Sequence, residues 1–316
     1  MKAIIFGITG QDGTLLANFL LKKGYDVIGT TRNLNNISNL IKLNINDKIK
    51  LKKVNILKHV EINEIIEMEC PDEIYNLSGQ TSVGDSYFSP LETYQSIVCT
   101  TMYILESIRN NQPKIKFFNA SSIECFGDNN NNIINENSRH NPVSPYGTAK
   151  SMSQGLINNY RSIYGLHICS GILSNHESQL RSNKFVSQKI VDAANDISKG
   201  VIKYIEVGDI SIVRDWGWAE EYIEAIYKSM KIDSPDDFII ATGKSISLEE
   251  FINYTFIKFN LDYKKHIKIN KSFIRPNEIK KIQLDTSKAN RLLNWTPQIS
   301  VYQVIDKLVE YKKINN

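Results

Sequence analysis

The chain has 316 residues, of which 41% are hydrophobic and 23% charged, and its formal net charge is +4 at pH 7. This length can bury a large core and suggests about two domains, or one large domain with an appendage. Basic and acidic residues are interspersed, and no apolar stretch approaches the roughly 18 residues of a membrane span, so neither nucleic-acid binding nor membrane insertion is expected.

Short apolar strands alternate with helical segments over the first 172 residues. The predicted strands cover residues 3–6, 26–29, 49–54, 73–77, 115–120 and 167–171. This alternation is typical of a parallel sheet that carries helices on both faces. We therefore predict an α/β fold with a Rossmann-type doubly wound parallel sheet, whose dinucleotide-binding domain covers residues 1–172.

Beyond residue 172 the alternation breaks into shorter elements, with helices predicted at residues 247–259 and 286–293. We predict that residues 173–316 form a smaller mixed lobe, with some segments returning to the large sheet. Such a lobe would pack over the carboxyl ends of the strands, where ligands bind in doubly wound folds.

A glycine-rich run, Gly7-Ile8-Thr9-Gly10-Gln11-Asp12-Gly13, directly follows the first predicted strand. Glycines at this spacing let the backbone turn tightly, approach a pyrophosphate and open a helix whose N-terminal amides favour anions. Apolar residues at helical spacing follow, and Gly24 lies where that helix should end. These neighbours favour a dinucleotide cradle over a purely structural glycine turn.

The end of the second strand bears on the choice between NAD and NADP. NAD-binding chains usually carry an acidic residue there, which receives the ribose hydroxyls, whereas this chain has Arg32. A guanidinium offers charge and a planar donor fork to a 2′-phosphate. NADP is therefore favoured over NAD, and a solvated surface arginine is the alternative.

Three residues further along the chain suit the oxidation of a substrate hydroxyl. Ser144-Pro145 predicts a helix start, which places Tyr146 in the first turn and Lys150 on the same face four residues later. A free phenol has a pKa near 10, so a tyrosine acts as a base at neutral pH only beside a cation and a bound nicotinamide. Ser122, at the end of the fifth strand, completes the hydrogen bonding to the substrate hydroxyl.

Glu124 adds a carboxylate close to Ser122. The two residues are two positions apart, so in an extended backbone both side chains face the same way. A carboxylate beside a newly oxidised carbonyl removes the acidified proton on the adjacent carbon and later protonates a leaving hydroxyl. The alternative is a strand-end glutamate in water.

The four cysteines, Cys70, Cys99, Cys125 and Cys169, are widely spaced and match neither metal-ligand nor redox-motif spacing. We expect buried thiols in a reducing cytoplasm and no metal site. The chain begins a strand almost at once, so no targeting leader is expected.

With these motifs in place, the chain resembles the extended short-chain dehydrogenase/reductase family and, within it, the GDP-mannose 4,6-dehydratases. The resemblance runs almost from end to end, and two of its runs are specific to that branch. Those runs are Asn175-His176-Glu177-Ser178 and Arg214-Asp215-Trp216-Gly217.

The resemblance implies roles for individual residues and no metal ligand. The implied catalytic residues are Ser122, Glu124, Tyr146 and Lys150. The implied cofactor contacts are Gly7, Thr9, Gly10, Gln11, Asp12, Gly13, Arg32, Asn55, Ile56, Leu77, Tyr146 and Lys150. The implied contacts to the nucleotide sugar are Ser86, Asn175, Lys189, Arg214, Arg275 and Glu278.

The implied reaction transfers hydride from sugar C4 to the cofactor, eliminates water across C5 and C6 with Glu124 as the base, and returns the hydride to C6. The resemblance also implies a homodimer or homotetramer, assembled through helices at residues 86–110 and 145–164. The 4-keto-6-deoxy sugar would serve the synthesis of cell-surface glycans.

The chain departs from the family near the cofactor and the sugar. Asn55 and Asn33 replace an acidic residue and an arginine at the cofactor, while Ser82, Ser174 and the pair Gln179-Leu180 replace histidine, phenylalanine and proline-arginine near the sugar. Smaller residues suggest a pocket for a GDP-sugar other than GDP-mannose.

Several functions therefore stay open at this point. The candidate substrates are GDP-mannose, the GDP-N-acetylglucosamine of a legionaminic acid pathway, and a GDP-heptose. The competing functions are a GDP-sugar 4-dehydrogenase, epimerase or reductase, which has no use for Glu124 as a proton acceptor, and a non-catalytic NADP-binding sensor.

Overall fold

A seven-stranded parallel sheet forms the centre of the computed structural model, which describes residues 1–129 and 132–314. The strands are β1 (Lys2–Phe6), β2 (Asp26–Thr31), β3 (Lys50–Lys53), β4 (Glu73–Asn76), β5 (Lys116–Ser122), β6 (Ile168–Leu173), β7 (Asn175–Glu177), β8 (Ile205–Val207), β9 (Val213–Trp218), β10 (Asp237–Ile240), β11 (Ser245–Ser247) and β12 (Ile267–Ile269). The large sheet has the order β3-β2-β1-β4-β5-β6-β10, and all neighbours in it run parallel. The predicted Rossmann-type fold is confirmed, and each of the six predicted strands overlaps an observed one.

Helices cover both faces of this sheet and also fill the smaller lobe. They are α1 (Gln11–Lys22), α2 (Ser38–Lys42), α3 (His59–Glu69), α4 (Val83–Phe88), α5 (Pro90–Tyr94), α6 (Thr100–Asn111), α7 (Pro145–Tyr164), α8 (Val186–Ser198), α9 (Ala219–Ser229), α10 (Leu248–Ile257), α11 (Ser287–Leu293) and α12 (Val301–Ile314). The helices predicted at residues 247–259 and 286–293 are confirmed as α10 and α11.

The central strands are apolar because both of their faces are covered. On one face, Leu16 and Leu20 of α1 and Ile223 of α9 belong to one buried cluster. On the other face, Ile62 of α3 and Ile104 of α6 belong to a second cluster. Burying one such side chain stabilises the fold by roughly 1.5–3 kcal/mol, so these two layers hold the sheet rigid beneath the site.

Local signals account for the ends of α7. The Ser144 side chain accepts a hydrogen bond from the Gly147 amide at 3.0 Å, Pro145 occupies the first helical turn, and Gly165 ends the helix with φ +64°. These are the N-cap and C-cap residues that helices prefer. The bounds predicted for this helix are confirmed.

The single helix predicted at residues 86–110 is wrong at its N-terminal end. Helix α4 ends at Phe88, Ser89 leaves helical geometry with φ −131°, and α5 begins at Pro90. Proline lacks an amide hydrogen and restricts the preceding residue, so the chain restarts a helix there. A π-helical turn, Gln95–Cys99, then joins α5 to α6.

The smaller lobe is built around β9, which pairs antiparallel with β11 and parallel with β7. Helices α8, α10 and α12 pack on it through a cluster that includes Trp216, Phe251 and Val304. Strand β10 and helix α9 return to the large sheet, so the chain crosses between the two lobes more than once. Within the described ranges, no helix combines the length and apolar character needed to cross a membrane.

Candidate active site

Two glycines of the turn between β1 and α1, Gly7 and Gly13, leave no room for a side chain. Gly7 has φ +83°, and a Cβ added to Gly13 would lie 2.3 Å from the Gly7 carbonyl oxygen. Gly10 precedes the first turn of α1, and its carbonyl accepts the Thr14 amide at 3.0 Å. The free amides of that first turn and the bare backbone fit a dinucleotide pyrophosphate. Thr9 shares this turn, and its carbonyl accepts from Asn39.

A buried ion pair joins this turn to the segment that follows β6. His176 Nε2 lies 3.0 Å from both carboxylate oxygens of Asp12, and His176 Nδ1 lies 2.7 Å from the Ser174 carbonyl. Burial alone would raise the pKa of Asp12, but the charge and hydrogen bonds of His176, together with Gln11 and Arg181, outweigh it and lower the value to about 2. The same attraction raises the pKa of His176 against the effect of its burial.

Gln11 ties the two segments together a second time. Its Nε2 donates to the His176 carbonyl at 3.1 Å, and its Oε1 accepts from Ser178 Oγ at 2.8 Å. The sequence assigned only Asn175 of the Asn-His-Glu-Ser run to a site, so the contribution of its next three residues was missed. The run's specificity to one family was the signal that all four positions matter.

Glu177 and Arg181 form a second ion pair beside the first, and each keeps one buried polar atom without a hydrogen bond. Glu177 Oε2 and Arg181 Nε lie 3.6 Å apart, and neither has a hydrogen bond among the described residues. Arg181 also lies close enough to Asp12 and Tyr146 to lower the pKa of each. Buried polar groups are normally hydrogen-bonded, so these two atoms are available to a polar ligand.

Tyr146 and Lys150 lie together at the start of α7, both almost fully buried. Lys150 Nζ is 5.7 Å from the centre of the Tyr146 ring and donates to the Ala120 carbonyl at 2.6 Å. Burial raises the pKa of Tyr146 above its usual value, and a hydrogen bond with Ser122 partly offsets this. Burial lowers the pKa of Lys150 to about 8, so the ammonium stays mostly charged at neutral pH.

The backbone at Glu124 is a 3₁₀ turn, Ile123–Cys125, and the extended conformation that we predicted there is wrong. Ser122 Oγ caps this turn by accepting the Glu124 amide at 3.3 Å, as short polar side chains do at helix starts. Glu124 nevertheless lines a narrow cavity near Tyr146. Burial raises the pKa of the Glu124 carboxyl, and Arg214 and Arg275 partly oppose the rise.

Arg214, Arg275 and Glu278 meet on the other side of this cavity. The Arg214 guanidinium donates to Glu278 Oε1 at 3.0 Å and to the Ile279 carbonyl at 2.7 Å. Arg275 lies 3.8 Å from the same Glu278 oxygen and is partly exposed. The fold thus brings two guanidinium groups from the smaller lobe to face Glu124 of the large lobe.

The remaining residues predicted to contact the cofactor lie along the carboxyl edge of the sheet. Arg32 follows β2 directly, is largely exposed and lies 3.8 Å from Glu92. The Asn55 side chain accepts the Leu57 amide at 3.1 Å, and Ile56 is buried next to it. Leu77 follows β4, and its amide donates to the Phe6 carbonyl.

The residues predicted to bind the nucleotide sugar differ in burial and in their position in the fold. Asn175 begins β7, and Lys189 is exposed near the start of α8. Ser86 is fully buried, and its hydroxyl donates to the Val83 carbonyl at 2.6 Å. Because that hydroxyl already donates a hydrogen bond to the backbone, it can only accept a hydrogen bond from a ligand.

Two of the residues that depart from the family near the sugar have buried side chains. Ser174 Oγ is buried and bonds to Asp215 at 3.1 Å and to the Tyr222 hydroxyl at 2.6 Å. Leu180 packs in the apolar cluster beneath α1 and α9. Asp215 also accepts two hydrogen bonds from Thr242, so this part of the Arg-Asp-Trp-Gly run holds the fold rather than a ligand.

The described residues contain no cluster of histidine, cysteine, aspartate or glutamate side chains that could hold a metal ion. The four cysteines are unpaired, and the prediction that their thiols are buried is confirmed for Cys125 and Cys169. It is wrong for Cys70, which is exposed, and for Cys99, which is half-buried.

Known sequences similar to this chain share one description. Residues 4–308 match the family described as GDP-mannose 4,6 dehydratase. The GDP-mannose 4,6 dehydratase 1 of Arabidopsis thaliana is 34% identical over 98% of this chain and 88% of its own length. The GDP-mannose 4,6-dehydratase of Vibrio cholerae is 32% identical over 98% of this chain and 92% of its own length.

Solved structures share the fold at lower sequence identity. A dTDP-glucose 4,6-dehydratase from Streptomyces venezuelae, with NAD and TYD bound, is similar with a TM-score of 0.90 and 18% identity, over 100% of this chain and 98% of the other. A UDP-glucuronic acid 4-epimerase from Bacillus cereus, in complex with UDP-glucuronic acid and NAD, is similar with a TM-score of 0.88 and 19% identity, over 100% of both chains.

Proposed function

The chain belongs to the GDP-mannose 4,6-dehydratase family, and on that premise we propose that it converts a GDP-hexose to its 4-keto-6-deoxy derivative. The observation that carries this proposal is the placement of Glu124. A carboxylate with a raised pKa lies between the tyrosine of α7 and two arginines of the smaller lobe. A dehydrogenase or epimerase has no use for a carboxylate there.

Each catalytic residue has a separate role in the proposed reaction. A nicotinamide, when bound, supplies the acceptance and the return of a hydride. Tyr146 takes the proton of the sugar C4 hydroxyl, and Lys150 and Ser122 stabilise its phenolate. Glu124 takes the proton from C5, and because its pKa is raised, it holds that proton long enough to give it to the leaving C6 hydroxyl.

We propose that the nucleotide diphosphate binds where Arg214 and Arg275 converge. Guanidinium groups match phosphate oxygens in charge and geometry, and the Glu278 carboxylate can accept hydrogen bonds from a ribose or a base. Asn175 and Lys189 complete the set proposed from the sequence, on the side of β7 and α8.

GDP-mannose is the substrate we propose first. Ser174 and Leu180, whose small or altered side chains suggested an enlarged sugar pocket, lie in the buried interior instead. Ser82, which replaces the histidine of the family, does lie near the cavity, because it caps α4 next to the cavity-lining Val83. A small residue at that position keeps GDP-N-acetylglucosamine as the second candidate.

The proposed cofactor is NADP, and the support for it is Arg32 at the carboxyl end of β2. Arg32 is exposed and its contact with Glu92 is long, so the guanidinium can leave Glu92 and bind a 2′-phosphate at little cost in free energy. Arg32→Ala should weaken NADP binding about tenfold and leave NAD binding unchanged. Arg291→Ala, on the exposed face of α11, is the control, and equal effects on both cofactors would contradict the preference.

We also propose that the enzyme works in the cytoplasm, and its unpaired cysteines support this location.

The proposed assembly is a dimer through α7 and the helix that continues from α5 to α6. Exposed apolar side chains on these helices, such as Leu91 and Met152, support that surface.

The purified chain, incubated with NADP and each GDP-sugar in turn, should produce a nucleotide sugar lighter by one water. Glu124→Gln should slow this elimination roughly 10²–10⁴-fold while oxidation at C4 remains measurable. Glu64→Gln, on the exposed side of α3, is the matched control. Unchanged elimination in Glu124→Gln, or a wild-type product that has lost no water, would reject dehydration.

A further inference from the structure

One segment of the smaller lobe crosses the candidate active site. We call residues 271–279 the strap. Its ends are held by the smaller lobe, because the Asn270 amide donates to the Val207 carbonyl at 2.8 Å and the Lys280 carbonyl accepts the Val213 amide at 2.8 Å. The strap carries Arg275 and Glu278, so its position sets where those two side chains lie.

The middle of the strap reaches the large lobe at one tyrosine. The Tyr87 hydroxyl, on α4, donates to the Pro276 carbonyl at 2.8 Å, and the Val143 carbonyl lies 3.2 Å from the same oxygen. A phenol has a single proton, so the shorter contact takes most of it. Val143 precedes Ser144, the residue that caps the helix carrying Tyr146.

Tyr87 also borders the cavity itself. Tyr87 and Glu124 line it together with residues 275–279 of the strap. Burial raises the pKa of Tyr87 above its usual value, so its hydroxyl stays a neutral donor throughout the physiological range. A phenylalanine would fill the same space but could not bond to the strap.

We propose that Tyr87 is a positioning residue that clasps the strap to the large lobe and thereby places Arg275 and Glu278 opposite Glu124. The proposal rests on the proposed function, because it assigns those two residues to the substrate. Tyr87 touches neither the reacting carbons nor the cofactor in this scheme. Its loss should affect how well a nucleotide sugar is held and not how fast a correctly held one reacts.

Tyr87→Phe tests this directly, because it removes one oxygen and keeps the ring. The loss of one neutral hydrogen bond should raise KM for the GDP-sugar about fivefold and leave kcat within about twofold. Tyr263→Phe is the matched control, since its hydroxyl donates to Glu249 on the surface of the smaller lobe. Amide hydrogen exchange across residues 271–279 should be faster in Tyr87→Phe and unchanged in Tyr263→Phe.

The two measurements, KM and amide hydrogen exchange, test the contact between Tyr87 and the strap separately from the proposed function. If the wild type turns over no GDP-sugar, the proposed reaction is wrong. Faster amide hydrogen exchange in Tyr87→Phe would then still support the proposal that Tyr87 holds the strap. Unchanged exchange together with unchanged KM would overturn the proposal. A fall in kcat at constant KM would also overturn it, because the hydroxyl would then act in the chemistry.

Discussion

The ion pair between Asp12 and His176 should make a measurable contribution to stability, and Asp12→Asn removes it. The two residues are 164 positions apart, and they join the glycine-rich turn of the large lobe to the segment after β6. Asparagine keeps the shape of the side chain and can still contact a neutral imidazole. The substitution therefore tests the charge itself.

The magnitude follows from the pKa of Asp12, which falls from 3.8 to about 2 on folding. A shift of one unit corresponds to about 1.4 kcal/mol, so the interactions of ionised Asp12, of which that with His176 is the strongest, contribute about 2–3 kcal/mol. Because the folded pKa is the lower one, this contribution is complete above pH 3.8 and is lost as the pH falls towards 2. The folded pKa of His176 lies above 6.5, so its share is present below 6.5 and is lost as the pH rises through that folded value.

Asp12→Asn should therefore lower the free energy of unfolding by about 2–3 kcal/mol at pH 6, which corresponds to a fall in Tm of roughly 4 °C for a chain of this length. The gap between wild type and variant should be smaller at pH 9 than at pH 6, because His176 loses charge as the pH rises through its raised folded pKa. Thermal unfolding of the cofactor-free protein, followed by circular dichroism at the two pH values, measures this. Asp233→Asn, at an exposed position, is the control, and a loss of equal size at both pH values would refute the reasoning.

Three further predictions concern the turn, the lysine and the buried aspartate. Gly13→Ala should abolish NADPH binding in a fluorescence titration, because its Cβ would lie 2.3 Å from the Gly7 carbonyl oxygen, whereas Gly155→Ala, with open space around it, should bind normally. Since burial lowers the pKa of Lys150 to about 8, wild-type affinity for NADPH should fall as the pH rises through 8, and Lys150→Met should lack that step. Asp215→Ala leaves buried donors unpaired and should lower the free energy of unfolding by about 3 kcal/mol, measured by denaturant titration; a loss below 1 kcal/mol would contradict this.

Local patterns predicted those parts of the fold that local interactions decide. The glycine turn after β1 was predictable because only glycine tolerates the approach seen at Gly7 and Gly13. The start of α7 was predictable because Ser144 and Pro145 favour a helix start through their own backbone chemistry. Since Tyr146 and Lys150 lie one turn apart on that helix, their proximity also followed from the sequence.

Local patterns also left the conformation and the partners of individual side chains unspecified. Residues 122–124 were expected to stay extended, but a serine at a strand end can equally cap a 3₁₀ turn, and here it does. Ser174 was placed near the sugar because its neighbours resemble a substrate-binding run, yet its hydroxyl bonds to Asp215 and Tyr222 in the interior. The periodicity of a strand does not indicate which buried polar partner each side chain meets.

The sequence by itself determined the order of strands and helices, the cradle for a dinucleotide and the helix that presents the tyrosine and lysine, because each depends on residues within a few positions of one another. Only the tertiary structure decided that His176 would bind Asp12, that Arg214 would face Glu124, and that Tyr87 would hold the strap. These contacts join segments 90 to 189 positions apart. Such distant contacts form only when the packing of the two lobes brings the segments together, so no local pattern in the chain encodes them.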